Sequence, residues 1–219
     1  MARPAHATLN PRKQPRQARS QATVEVIVEA CIQVLLQEGA NRLTTTRVAE
    51  RAGVSVGSLY QYYPNKQALL YAVLAQHLNK VGDAVEVAAQ SASGRSLPDM
   101  VVAVVDAFVG AKLAHVDESR ALYGVASDLE AADIVNAIGA RCCKAVAAML
   151  STAPRVRFVD ARLSAYIWFT AMVGSTRAML EGGAPPKMLK ALRDQLVTLG
   201  LSYLQSEAIS TRQKRTAST

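Results

Sequence analysis

Aromatic residues are scarce in this chain: seven tyrosines, three phenylalanines and one tryptophan make up 5% of 219 residues. Alternation of apolar and polar residues is never sustained, which argues against a sheet fold. Cysteine is scarcer still. Cys31, Cys142 and Cys143 form no CxxC pair and cannot all pair with one another, which excludes a disulfide scaffold and fits a reducing cytosol. No apolar run reaches the roughly 18–20 residues of a membrane span. The N-terminus, MARPAHATLNPRKQPRQARS, lacks the apolar stretch of a secretory signal. A cytoplasmic protein without membrane contact is expected. Catalytic signatures are missing too: His6, His77 and His115 are far apart and fit no HExxH-like pattern, and neither a Gly-rich phosphate loop nor a Ser/His/Asp signature occurs. No enzyme, metal or cofactor is expected.

Positive charge is plentiful, but only at the ends. Arg3, Arg12, Lys13, Arg16 and Arg19 lie in residues 1–20 without an acid, and Arg212, Lys214 and Arg215 lie in 210–219 without one. These eight bases account for the whole net charge of +8, so the body over 21–209 is neutral. A uniformly basic, histone-like protein and an acidic-tail protein are both excluded. What remains is an apolar body, half of it hydrophobic residues, with basic arms suited to phosphates or an anionic surface.

Helical spacing runs through that body. Val24, Ile27, Val28, Cys31, Ile32, Leu35 and Leu36 recur at steps of three and four over 21–38, and Gly39 supplies a stop. A second helix starts at Thr44-Thr45-Thr46 and ends at Gly53. A third follows Ser55 as N-cap and stops before Pro64, and Asn65 caps a longer fourth. The polar stretch QSASGRS over 90–96 is the clearest break. Beyond it the pattern predicts helices over about 97–115, 118–127, 131–151, 157–181 and 186–207, the fourth of these ended by Gly182-Gly183. The fold class is all-α with about nine helices. The expected organisation is a basic arm over 1–19, a small three-helix unit over 20–66, a larger bundle over 67–208, and a basic tail over 209–219.

The densest signal is TTTRVAERAGVSVGSLYQYYPNK, 44–66. Two short helices flank Ala52-Gly53-Val54, and Val48, Ala49, Val54 and Leu59 are spaced to bury their inner faces against the helix at 21–38. This is the layout of a helix-turn-helix whose second helix enters the major groove of double-stranded DNA. Its outward face presents Val56, Gly57, Ser58, Tyr60, Gln61 and Tyr62. Ser55 and Asn65 stand at helix N-termini, which suit a phosphate oxygen. Over 21–70 Arg42, Arg47, Arg51 and Lys66 balance Glu25, Glu29, Glu38 and Glu50. Recognition therefore depends on positioned groups, and electrostatic affinity on the arm.

The run LTTTRVAERAGVSVGSLYQYYPNKQALL, 43–70, resembles the N-terminal pattern of TetR-family transcriptional regulators: Thr-Thr opening the second helix, Ala-Gly-Val-Ser in the turn, Leu-Tyr-x-Tyr-Tyr, then Pro-Asn-Lys and Ala-Leu. The resemblance implies DNA-facing roles for Thr45 and Thr46, base-edge positions for Val56, Gly57 and Ser58, backbone contacts from Tyr60 and Tyr62, and a phosphate contact from Lys66. Tyr63 stands where Phe is commoner and is expected to be buried. The arm, through Arg12, Lys13, Arg16 and Arg19, could insert into an adjacent minor groove.

The resemblance also implies a homodimer with a small-molecule effector pocket in the larger bundle. Candidate pocket residues are Phe108, Tyr123, Met149, Tyr166, Trp168, Phe169, Met172 and Arg177. An apolar lining favours an uncharged or amphipathic effector, whereas Arg120, Arg141 or Arg177 could receive an acid group; the sequence leaves both open. For the dimer interface the candidates are the seam Leu189, Leu192, Leu196, Leu199 and Tyr203, stepping by 3, 4, 3 and 4, with the small residues Ala165, Gly174 and Ala178. A repressor released from a palindromic operator by its effector is the leading expectation. An activator of the same fold and a non-specific DNA-binding protein are the alternatives.

Overall fold

The computed structural model describes residues 18–210. Among them are nine helices: α1 Ala18–Arg42, α2 Thr45–Ala52, α3 Val56–Tyr62, α4 Lys66–Ala92, α5 Leu97–Leu113, α6 Val116–Asp128, α7 Ala132–Leu150, α8 Ala161–Glu181 and α9 Pro186–Glu207. The all-α class and the helix order follow the sequence pattern.

Local differences have local causes. Gly39 breaks α1 as a stop should, at φ 79°, ψ 164°, yet helical turns resume up to Arg42. The helix expected from 157 begins instead at Ala161. Asp160 caps it by accepting from the N–H groups of Arg162 and Leu163 at 2.9 and 3.0 Å. The preceding residues form a strand, β1 Val156–Phe158, paired antiparallel with β2 Ala208–Ser210. Two three-residue strands so far apart in sequence leave no periodic trace.

The chain divides into two compact units, one of 18–78 with Asp117–Ile134, the other of Asn79–Val116 with 135–210. In the first, Ile27, Cys31 and Leu35 of α1 share a core with Val48 and Ala49 of α2, Leu59 of α3, Leu69 and Val73 of α4, and Leu122 and Val125 of α6. Each such aliphatic side chain contributes roughly 1.5–3 kcal/mol on burial, so α2 and α3, too short to persist alone, are held by this core. His77 of α4 ties to α6 as well, with Nδ1 3.2 Å from Glu118 Oε1.

The second unit packs Met100, Val104 and Phe108 of α5 with Val146 and Leu150 of α7, Trp168 and Met172 of α8, and Leu196 and Leu204 of α9. Phe108 and Phe169 meet edge to face, with centroids 5.8 Å apart at 72°.

Candidate nucleic-acid interface

Three caps set the geometry of α2 and α3. Thr44 accepts from Arg47 N–H at 3.3 Å and starts α2. Gly53 ends it at φ 66°, ψ 29°, a left-handed conformation that favours glycine. Ser55 then accepts from Ser58 N–H at 3.0 Å and starts α3. The two serine hydroxyls lie 2.8 Å apart, so the half-buried Ser58 is held in place.

α3 is seven residues long. Its inner side sends Leu59 into the core of the first unit, and the following Tyr63 joins it. Burial, followed by the neighbouring Cys31, pushes the Tyr63 phenol up to about 12, so it stays neutral at physiological pH. On the outer side Gly57, Tyr60 and Gln61 are exposed, while Val56, Ser58 and Tyr62 are half-buried. Thr45 Oγ1 of α2 lies 3.1 Å from Tyr60 Oη, joining the two helices on the face they present to solvent. Thr46 beside it is exposed.

The arginines of this unit are turned to local partners. Arg47 pairs with Glu38 and donates to Arg42 O at 3.2 Å; Arg51 bonds Gln37. Only Arg47 of these pairs with an acid among the described residues, and the outer face of α3 carries hydroxyls and an amide. Asn65 Oδ1 accepts from Ala68 N–H at 2.7 Å and caps α4. Lys66 donates from Nζ to Ala40 O at 2.5 Å, across the break in α1. That tie depends on a carbonyl left without a helical partner where α1 ends at Arg42, which the sequence pattern does not mark. The proposed arm contacts of Arg12, Lys13 and Arg16, and the side chain of Arg19, lie outside the described residues.

Comparison with known proteins agrees with this geometry. A family model described as bacterial regulatory proteins, tetR family, matches 27–73, and one described as tetracyclin repressor-like, C-terminal domain, matches 96–204. The chain belongs to the TetR family of transcriptional regulators. Over 60 residues it is 37% identical to the uncharacterized HTH-type transcriptional regulator YvkB of Bacillus subtilis, covering 27% of this chain. Over 79 residues it is 29% identical to the HTH-type transcriptional regulator BetI of Serratia proteamaculans, covering 36% of this chain. These matches span only 32% and 40% of those relatives. A solved Mesorhizobium loti structure, described as a TetR-family transcriptional regulator, superposes with TM-score 0.74 at 14% identity, covering 88% of this chain and all of that one; the two share a fold.

Regulators of the TetR family bind DNA operators and effectors as dimers, which directs attention to the second unit. Of the candidate pocket residues, Tyr123 belongs to the first unit. Phe108, Met149, Trp168 and Met172 are packed into the core of the second. Tyr166 and Arg177 line a groove of about 1390 Å³ beside α7 and α8, and Phe169, itself a core residue, backs it. The candidate dimer residues divide similarly: Ala165, Leu192 and Leu196 are core, Leu189 and Tyr203 are half-buried, and Leu199, Gly174 and Ala178 are exposed. Exposed apolar side chains missing from that candidate set are Leu163, Ile167 and Met188. Helical spacing indicated their type but could not say which stripe faces outward.

The acid-receiving candidates separate too. Arg141 pairs with Asp83 and with Glu86, Arg120 with Asp117, and Arg177 with Glu181. Among the described residues, no group of three His, Cys, Asp or Glu is arranged to hold a metal ion, and no helix is long and apolar enough to cross a membrane.

Proposed function

We propose that this TetR-family protein is a cytoplasmic, sequence-specific repressor that binds a palindromic operator as a homodimer and is released by a small-molecule effector. The observation that carries the reading is the α2–Gly53–α3 unit, whose outer face is neutral, capped and cross-linked by Thr45 and Tyr60. Thr45, Thr46, Ser55, Val56, Gly57, Ser58, Tyr60, Gln61, Tyr62 and Lys66 form the DNA-contacting set, with Gln61 free to read a base edge and Lys66 shared between Ala40 O and a phosphate. A dimer is needed because one helix-turn-helix reads only a half-site, and two recognition helices must sit about 34–36 Å apart to match one DNA turn.

Residues 67–208 act as the effector-binding and dimerisation region. The exposed Ile167 of α8 and Met188 and Leu199 of α9, which lie outside the groove, support its self-association, and the groove beside α7 and α8 supports a ligand site. Selection of bound DNA from a random pool tests the reading. A palindromic consensus with half-sites one turn apart supports it; recovery of unenriched sequence refutes it.

A further inference from the structure

The groove beside α7 and α8 combines an apolar floor with a cationic rim. Gly139, Ala140 and Ala147 of α7 open the space, and Phe169 and Val173 of α8 supply apolar surface. Lys144, Arg162 and Arg177 line the same groove against a single acid, Asp160. Asp160 is occupied, since its carboxylate accepts both N–H groups that start α8. Arg177 is neutralised by Glu181. Lys144 and Arg162 make no ion pair among the described residues, in contrast to Arg141 with its two acids and Arg193 with Asp106 and Asp194. Fifteen residues of helix separate Arg162 from Arg177, about 22 Å at 1.5 Å per residue, so the groove suits an elongated molecule.

We propose that this groove binds an amphipathic organic anion: an extended apolar body with one carboxylate- or sulfonate-type head, the head held by Lys144 and Arg162. The chemistry follows from the lining. An apolar floor gains from covering, and the positive potential of the exposed Lys144 and Arg162 at its edge favours an anionic head over a cationic or neutral one. The inference rests on the reading of this region as the effector domain and names the ligand class that reading lacked.

The test uses the full chain and a fluorescent probe of this class, 8-anilinonaphthalene-1-sulfonate, with decanoate as competitor and N-phenyl-1-naphthylamine as the neutral counterpart. Saturable sulfonate binding that decanoate displaces is expected, at least ten-fold weaker in Lys144→Gln/Arg162→Gln, with the neutral probe changed less than two-fold. Gly139→Leu and Ala140→Leu should block both probes. A side chain at Gly139 meets nothing within 4 Å, so the leucine fills the groove, and circular dichroism verifies that both variants fold. Undiminished sulfonate binding in the double glutamine variant, or in both folded leucine variants, overturns the proposal. So does probe release on self-association without dependence on these charges, which would make the groove an interface between copies. Operator release by decanoate is read separately: binding without release refutes the effector reading and leaves the site standing.

Discussion

Thr45 Oγ1 and Tyr60 Oη stand 3.1 Å apart on the outer face of the helix-turn-helix, so the tyrosine of the recognition helix is positioned by the helix before it. Tyr60→Phe and Thr45→Val each remove this bond while leaving the buried face of α3 intact. A hydrogen bond of this kind contributes about 1 kcal/mol, roughly five-fold in affinity. Operator binding should weaken by at least that factor in each single variant, and the double variant should lose less than the combined effect. Additive losses would show that the two hydroxyls act independently.

Gly53→Ala isolates the backbone of the turn. A Cβ there meets nothing within 4 Å, but φ is +66°, which costs an L-residue about 1–2 kcal/mol. The urea midpoint should fall accordingly, with operator affinity reduced further if α3 is re-aimed.

In the second unit Gly200 is required for space, not for conformation. A Cβ there would lie 2.5 Å from Trp168 Nε1 and 3.0 Å from Val101 Cγ1. Gly200→Ala should destabilise by roughly 1–3 kcal/mol through overpacking and alter the emission of Trp168, the only tryptophan. Gly110→Ala, in an exposed helical position with nothing within 4 Å, should instead stabilise by about 0.5–1 kcal/mol.

Burial pushes the Cys31 thiol up to about 12 and the Cys142 thiol up to about 11, from an ordinary 9.0. Because both pKa values are raised, the unfolded chain ionises first. This contribution to stability is complete below pH 9 and is lost as pH rises through 9 to about 12. Urea midpoints measured from pH 7 to 11 should decline, and Cys31→Ala should flatten the decline. Iodoacetamide at pH 7 should label Cys143, which is half-buried, before the other two. Rapid native labelling of Cys31 would contradict this account.

Much of the fold was legible because its signals are local. Thr44, Gly53, Ser55 and Asn65 are cap and turn residues whose roles depend only on their neighbours, and each acts as the pattern implied. The β1–β2 pairing was not legible, since it joins two three-residue segments about fifty positions apart. Lys66 reaching Ala40 O required knowing where α1 ends. In the second unit, helical periodicity marked Leu192, Leu196 and Leu199 alike, yet the first two are core and the third is exposed; a stripe tells that a face is apolar, not what covers it. Lys144 and Arg162 gave no sequence signal, because being unpaired is a property of their surroundings.

Sequence-specific recognition by a neutral motif is the central claim. Its most direct test is the ratio of dissociation constants for the selected operator and for random DNA of equal length, at fixed salt near 150 mM. Specific binding predicts a ratio of at least about 10³; a ratio near one would mean that the basic ends alone attract DNA and would contradict the central claim.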